Sequence, residues 1–97
     1  MAIVTVFNLT TMTPELYDRT IAGLEDSGAG NPDGRLYHVA AETEAGTMVV
    51  TDVWESVEKL AAFGEALFPV LHRNGVTPVE PLVTPVRGII AGSTSSP

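Results

Sequence analysis

Three side chains in this 97-residue sequence are placed to move protons: Asp52 in VVTDVW, His38 in RLYHVAA and His72 in FGEALFPVLHRNG. Asp52 stands in the middle of an apolar, β-branched run. If that run is a core strand, the carboxylate must be paired, hydrogen-bonded or protonated. It is then an ion-pair partner of Arg87, Arg35 or Arg19, or a residue close enough to the sheet rim to stay wet. The third reading makes it a general base that takes a proton from a phenol or an activated methylene. His38 follows Tyr37, and strand alternation sends the two to opposite faces, so only one of them enters a given cavity. His72 closes a helical pattern at the border of its apolar stripe, where the negative end of the helix dipole favours a histidine with no catalytic duty.

Other chemistries are not encoded. The chain has no cysteine, which removes disulfides, thiol nucleophiles and thiolate metal sites, and fits a reducing compartment. No glycine-rich phosphate loop follows a strand, and no nucleophile elbow or metal-ligand cluster is present. GAGNPDG lacks the helix start that a phosphate cradle needs and reads as a loop. Twelve acidic against five basic residues leave a net charge of −7, which repels phosphate backbones and anionic lipid, so neither nucleic acid nor membrane is an expected partner. The start, MAIVTVFNLTTMTPE, has no basic segment and too short an apolar run for a secretory or membrane signal, and a cytoplasmic protein is expected.

The elements that must position these residues follow from periodicity. AIVTVFNL (2–9) is a first strand. Thr13 caps a helix that opens on Pro14, with Met12 packing on Tyr17 and with Leu16, Tyr17, Ile21 and Leu24 along one face. EDSGAGNPDG (25–34) is turn chemistry. RLYHVAA (35–41) and TMVVTDVW (47–54) form a hairpin of the second and third strands. Ser56 caps a second helix whose Leu60, Phe63, Gly64, Leu67, Phe68 and Leu71 recur at helical spacing, with Pro69 predicting a kink or break. VEPLVTPVRGII (79–90) is a last strand in which Pro81 and Pro85 demand an edge position or a bulge over part of its length.

The order β-α-β, β-α-β is the ferredoxin-like βαββαβ plan of the α+β class, an antiparallel sheet with two helices on one face. A single domain spans 1–90, and AGSTSSP (91–97) reads as a flexible tail. Neither face of the strands is polar: Ile3, Thr5, Phe7 and Leu9 alternate with Ala2, Val4, Val6 and Asn8, and Met48, Val50, Asp52 and Trp54 with Thr47, Val49, Thr51 and Val53. A sheet that is apolar on both sides needs cover on both sides. Two helices cover one, and a second copy of the chain covers the other. A homodimer through the open sheet face is expected, each facing apolar pair contributing on the order of 1 kcal/mol.

DVWESVEKLAAFGEALFPVL (52–71), followed by TPVRGII (84–90), resembles the dimeric α+β barrel superfamily, in particular its antibiotic-biosynthesis-monooxygenase-like branch. The likeness covers nearly the whole chain. It implies a ligand pocket between sheet and helices, lined from the first, third and fourth strands and by Phe63, Leu67 and Phe68 of the second helix. Similarity to cofactor-free oxygenases of this branch implies that Trp54, Asn8 and Arg87 hold a planar aromatic substrate, although the residue pattern by itself gives Trp54 a core or interface packing role and Arg87 stands where such proteins often show a His. Similarity to the haem-degrading branch pairs Asn8 with His72 as an axial ligand, but Phe63 takes the place of that branch's Trp and Pro69 precedes the His.

These readings lead to a cofactor-independent dimeric enzyme, monooxygenase-like or cyclase/isomerase-like, acting on a hydrophobic aromatic or polyketide-like small molecule. Asp52, His38 or His72 would abstract the proton, and Asn8, Tyr37, Trp54, Phe63, Leu67, Phe68 and Arg87 would bind the substrate. A non-catalytic small-molecule-binding or accessory dimer is the alternative, and haem binding through His72 a third possibility.

Overall fold

The computed structural model describes residues 1–92, so most of the expected tail lies outside the described residues. β1 (Ile3–Leu9), α1 (Pro14–Asp26), β2 (Arg35–Glu42), β3 (Met48–Trp54), α2 (Val57–Arg73) and β4 (Leu82–Pro85) follow one another in the expected order. The strands form one antiparallel sheet in the order β2-β3-β1-β4. Both helices pack on one face, where Leu24 of α1 and Phe63 and Val70 of α2 close on Ile3 and Trp54. This is the ferredoxin-like α+β arrangement.

Local chemistry accounts for each helix. The Thr13 hydroxyl accepts from the Leu16 N–H and the Ser56 hydroxyl from the Lys59 N–H, both at 3.2 Å, so each helix opens on a hydroxyl cap. Both helices also end alike. Gly28 and Gly75 take φ of 81° and 70°, a left-handed turn that costs glycine nothing. The next N–H returns to the third-last helical carbonyl, Ala29 to Leu24 at 2.7 Å and Val76 to Leu71 at 2.9 Å. This closure satisfies the orphan carbonyls, and the same pairs pack their side chains into the core.

Two boundaries differ from expectation. Pro69 neither breaks nor divides α2, which runs as one 17-residue helix. Pro69 and Glu65 both lie on the exposed side of α2, so the carbonyl that loses its partner faces water, while buried Phe63, Val70 and Leu71 hold the two halves in register. The last strand is also shorter than 79–90. It pairs with β1 over Leu82–Pro85, at the sheet edge, with the Val86 N–H still donating to the Ala2 carbonyl at 2.9 Å, and the missing N–H groups of Pro81 and Pro85 fall on the outer edge, where no further strand needs them.

The second face of the sheet is open. It carries Val4, Val6, Val49, Thr51 and Val53 at the centre, with Tyr37, Val39 and Leu82 more exposed towards the edges. Among the described residues, no helix is long and apolar enough to cross a membrane.

Candidate active site

A cavity of about 420 Å³ lies between the sheet and the two helices. Phe7 and Leu9 of β1 and Val50 of β3 form its floor, Ile21 and Leu24 of α1 one wall, and Leu60, Phe63, Leu67, Phe68 and Leu71 of α2 the other. The stretch from Val76 to Pro81, expected in part as strand, borders the cavity instead. Phe68 is about half exposed.

Asp52, His38 and Tyr17 carry most of the polar chemistry in this apolar space. Asp52 and His38 are direct partners across β2 and β3, so both side chains leave the sheet on the helix side. Asp52 Oδ1 lies 2.6 Å from His38 Nδ1, and His38 Nε2 lies 2.6 Å from the Tyr17 hydroxyl. The phenol and imidazole planes are only 6° apart with centroids at 6.0 Å, an edge-to-edge arrangement in line with the hydrogen bond. The carboxylate assigns the tautomer: it can only accept, so His38 donates from Nδ1–H and its Nε2 accepts from the Tyr17 O–H. Asp52 is 4% exposed, and His38 is the partner its burial required.

Tyr17 is held in its neutral form. Burial is the largest influence and pushes its pKa up; the positive charge of Arg35 pulls it down, and the carboxylates of Asp52 and Asp18 push it up again. Neutral Tyr17 donates to His38 and keeps its oxygen lone pairs for another group. Arg35 also borders the cavity, with its guanidinium 5.7 Å from the centroid of the Phe63 ring and Nη2 donating to the Gly30 carbonyl at 3.2 Å.

The structure therefore brings together Asp52, His38, Phe63, Leu67 and Phe68 and leaves other expected residues elsewhere. His72 is an exposed residue near the end of α2, away from the cavity wall. Asn8 and Tyr37 project from the open face, opposite the helices, because each alternates with a neighbour on the helix side. Trp54 is fully buried against Phe63, with ring centroids 5.3 Å apart, and its indole N–H has no hydrogen-bond partner. It belongs to the core and not to the cavity wall. Arg87 lies exposed beyond β4, so neither it nor any other arginine pairs with Asp52. Since Asn8 and His72 lie on opposite sides of the sheet, they cannot share a haem, and the residues do not fit that cofactor. Among the described residues no cluster of His, Cys, Asp or Glu could hold a metal ion. Tyr17 and Arg35 are the residues that sequence reasoning did not assign to the site.

Among solved structures the chain is similar to a candidate antibiotic biosynthesis monooxygenase from Chloroflexus aurantiacus J-10-fl, with 24% identity, a TM-score of 0.58, and 94% of this chain and 97% of that one covered. It is also similar to SnoaB, a cofactor-independent oxygenase from Streptomyces nogalater, at 14% identity and a TM-score of 0.60 over 94% and 96% of the two chains. A candidate antibiotic biosynthesis monooxygenase from Deinococcus radiodurans matches at 15% identity and a TM-score of 0.54, over 97% of this chain and all of that one. The chain has the antibiotic biosynthesis monooxygenase fold. No family model and no curated sequence matches it. In this version of the fold, β2 and β3 supply the His–Asp pair and α1 supplies the tyrosine.

Proposed function

We propose that the chain is a cofactor-independent enzyme that removes a proton from a hydrophobic, aromatic or polyketide-like molecule held in the cavity. The observation that carries the reading is the Tyr17–His38–Asp52 chain, with two contacts of 2.6 Å, in a space whose other walls, Arg35 and two threonines apart, are apolar. Its logic is that of a hydroxyl–imidazole–carboxylate triad with a phenol as the outer member. The acidic O–H or C–H of the substrate faces the Tyr17 oxygen. As that proton moves to Tyr17, the phenolic proton moves to His38 Nε2, and the Asp52 carboxylate faces the imidazolium that forms. A positioned base of this kind contributes roughly 10²–10⁴ in rate. The carbanion then closes a ring or reacts with dioxygen. In the second case an activated CH₂ becomes C=O, one oxygen atom entering the product and the other leaving as water. SnoaB is a cofactor-independent oxygenase, and the shared fold supports this branch.

The chain is further proposed to act as a homodimer through its open sheet face, whose valines would otherwise meet water. The apolar cavity lining also suits a second reading, a non-catalytic small-molecule-binding dimer.

A tricyclic anthrone, whose methylene is acidified by the ring system, separates the two. Oxygen uptake and solvent-deuterium exchange at that methylene are expected with the wild type and reduced at least tenfold in H38Q and D52N. Binding with neither uptake nor exchange favours the carrier reading, and an unchanged rate in H38Q removes His38 as the base.

A further inference from the structure

Among the described residues, Arg35 is the only lysine or arginine bordering the cavity, and it has no acidic partner among them. The Asp52 carboxylate accepts from His38 and the Asp33 carboxylate pairs with Lys59. Asp52, the one carboxylate on the cavity wall among those residues, is thus committed to the imidazole. Arg35 is held from two sides, by the face of Phe63 and by the Gly30 carbonyl. One such bond uses one of the five N–H donors of a guanidinium. A cation fixed in place beside apolar walls, with donors to spare, is a receptor for an oxyanion. Its charge also reaches the Tyr17 phenol, on which it is the largest influence after burial.

We infer that Arg35 is a specificity-determining residue that binds an anionic oxygen carried by a flat, apolar ligand, so that the substrates of this cavity are aromatic acids or acidic phenols and not neutral hydrocarbons or amines. The guanidinium grips the oxyanion while Phe63, Leu67 and Phe68 pack against the rings. That grip fixes which edge of the ligand faces Tyr17. A protein of net charge −7 thereby admits an anion through one local positive group, and a second negative charge on the ligand, away from Arg35, would meet Asp52 or the acidic surface.

The inference rests on the cavity being a ligand site, as in the proposed function, but not on the relay being its base. The test is titration calorimetry with 2-naphthoate and its neutral isostere 2-naphthamide on the wild-type protein. A charge-assisted contact in a half-buried site gives naphthoate an advantage of about tenfold or more. R35Q is expected to bring the two affinities within about twofold, and R35K, which keeps the charge but loses the planar fork, to leave an intermediate ratio. Y17F is expected to keep the naphthoate preference. Should R35Q fail to fold, the wild-type ratio and R35K still decide. Equal affinities in the wild type, no binding of either probe up to its solubility limit, or a preference unchanged in the folded Arg35 variants overturns the assignment. A naphthoate preference lost in R35Q, together with an H38Q that leaves anthrone oxidation unchanged, keeps the anion site and discards the relay.

Discussion

Replacing His38 by alanine tests the paired burial of Asp52 most directly. The Asp52 side chain is 6% exposed and that of His38 21%, so removing the imidazole leaves a carboxylate in a nearly dry site and the Tyr17 hydroxyl without its partner. Stripping a buried charge of its hydrogen-bond partner costs its desolvation penalty, about 3 kcal/mol or somewhat more for a carboxylate. Because His38 is a fifth exposed and water can enter the vacated space, the lower end, about 3 kcal/mol, is expected. A domain of this size has roughly 5–15 kcal/mol in total, so the loss is a large fraction and lowers Tm by about 12–24 °C. D52N keeps the shape and accepts a neutral hydrogen bond from Nδ1, at a cost of about 1 kcal/mol. On the D52N background no buried charge remains to be orphaned, and H38A should cost only about 1 kcal/mol, leaving a coupling of about 2 kcal/mol. Urea unfolding followed by the fluorescence of Trp54, the single tryptophan, measures all four proteins at one fixed protein concentration, since self-association would shift every midpoint. A coupling below about 0.5 kcal/mol, or an H38A variant as stable as the wild type, would refute the claim that imidazole and carboxylate depend on each other.

Three further outcomes follow from the same geometry. Y17F should fold, lose anthrone oxidation at least tenfold, and lack the tyrosinate step above the ordinary tyrosine range in an alkaline absorbance titration. Because the fold raises the Tyr17 pKa, the phenol's contribution to stability is complete below about pH 10 and is lost as pH rises through the higher folded value, so the pH-stability curves of Y17F and wild type should converge there. Val39 is 60% exposed on the open face, so V39K should alter the stability of a lone chain by less than about 0.5 kcal/mol, yet dissociate a face-to-face dimer in sedimentation velocity at micromolar concentration; a wild-type protein that sediments as a monomer would remove the dimer. G75A should lower stability by about 1–2 kcal/mol by forcing a Cβ into left-handed backbone, with nothing nearby for it to strike, and its urea midpoint measures that strain net of the entropy alanine removes from the unfolded chain.

Helix starts were legible because capping is local: Thr13 and Ser56 each precede an apolar stripe, and the hydroxyls do bond the N–H three residues on. The face assignment was equally legible, since alternation ties Asp52 to Met48, Val50 and Trp54 and puts Tyr37 and His38 on opposite sides. The length of α2 was not, because a proline's effect depends on whether the carbonyl it strips faces water or the core. Asp52 was seen to need a partner, but the partners considered were Arg19, Arg35 and Arg87, and the one that folding supplies is His38. Tyr17 drew attention only as an apolar residue packing on Met12, although the same side chain that contacts the core cluster also reaches His38 through its hydroxyl.

Sequence alone determined the element order, the apolar character of both sheet faces and the presence of a carboxylate that could not be left unpaired. Those properties depend on period, propensity and residue type, all of which act over a few positions of chain. Which strand lay opposite β3, and in which register, was decided only by the folded sheet: one residue of slip would have sent His38 to the open face and left Asp52 alone. The 21 positions of chain that separate Tyr17 from His38 are bridged by the packing of a helix on a sheet, whose contacts are summed over the whole core and are written in no single segment.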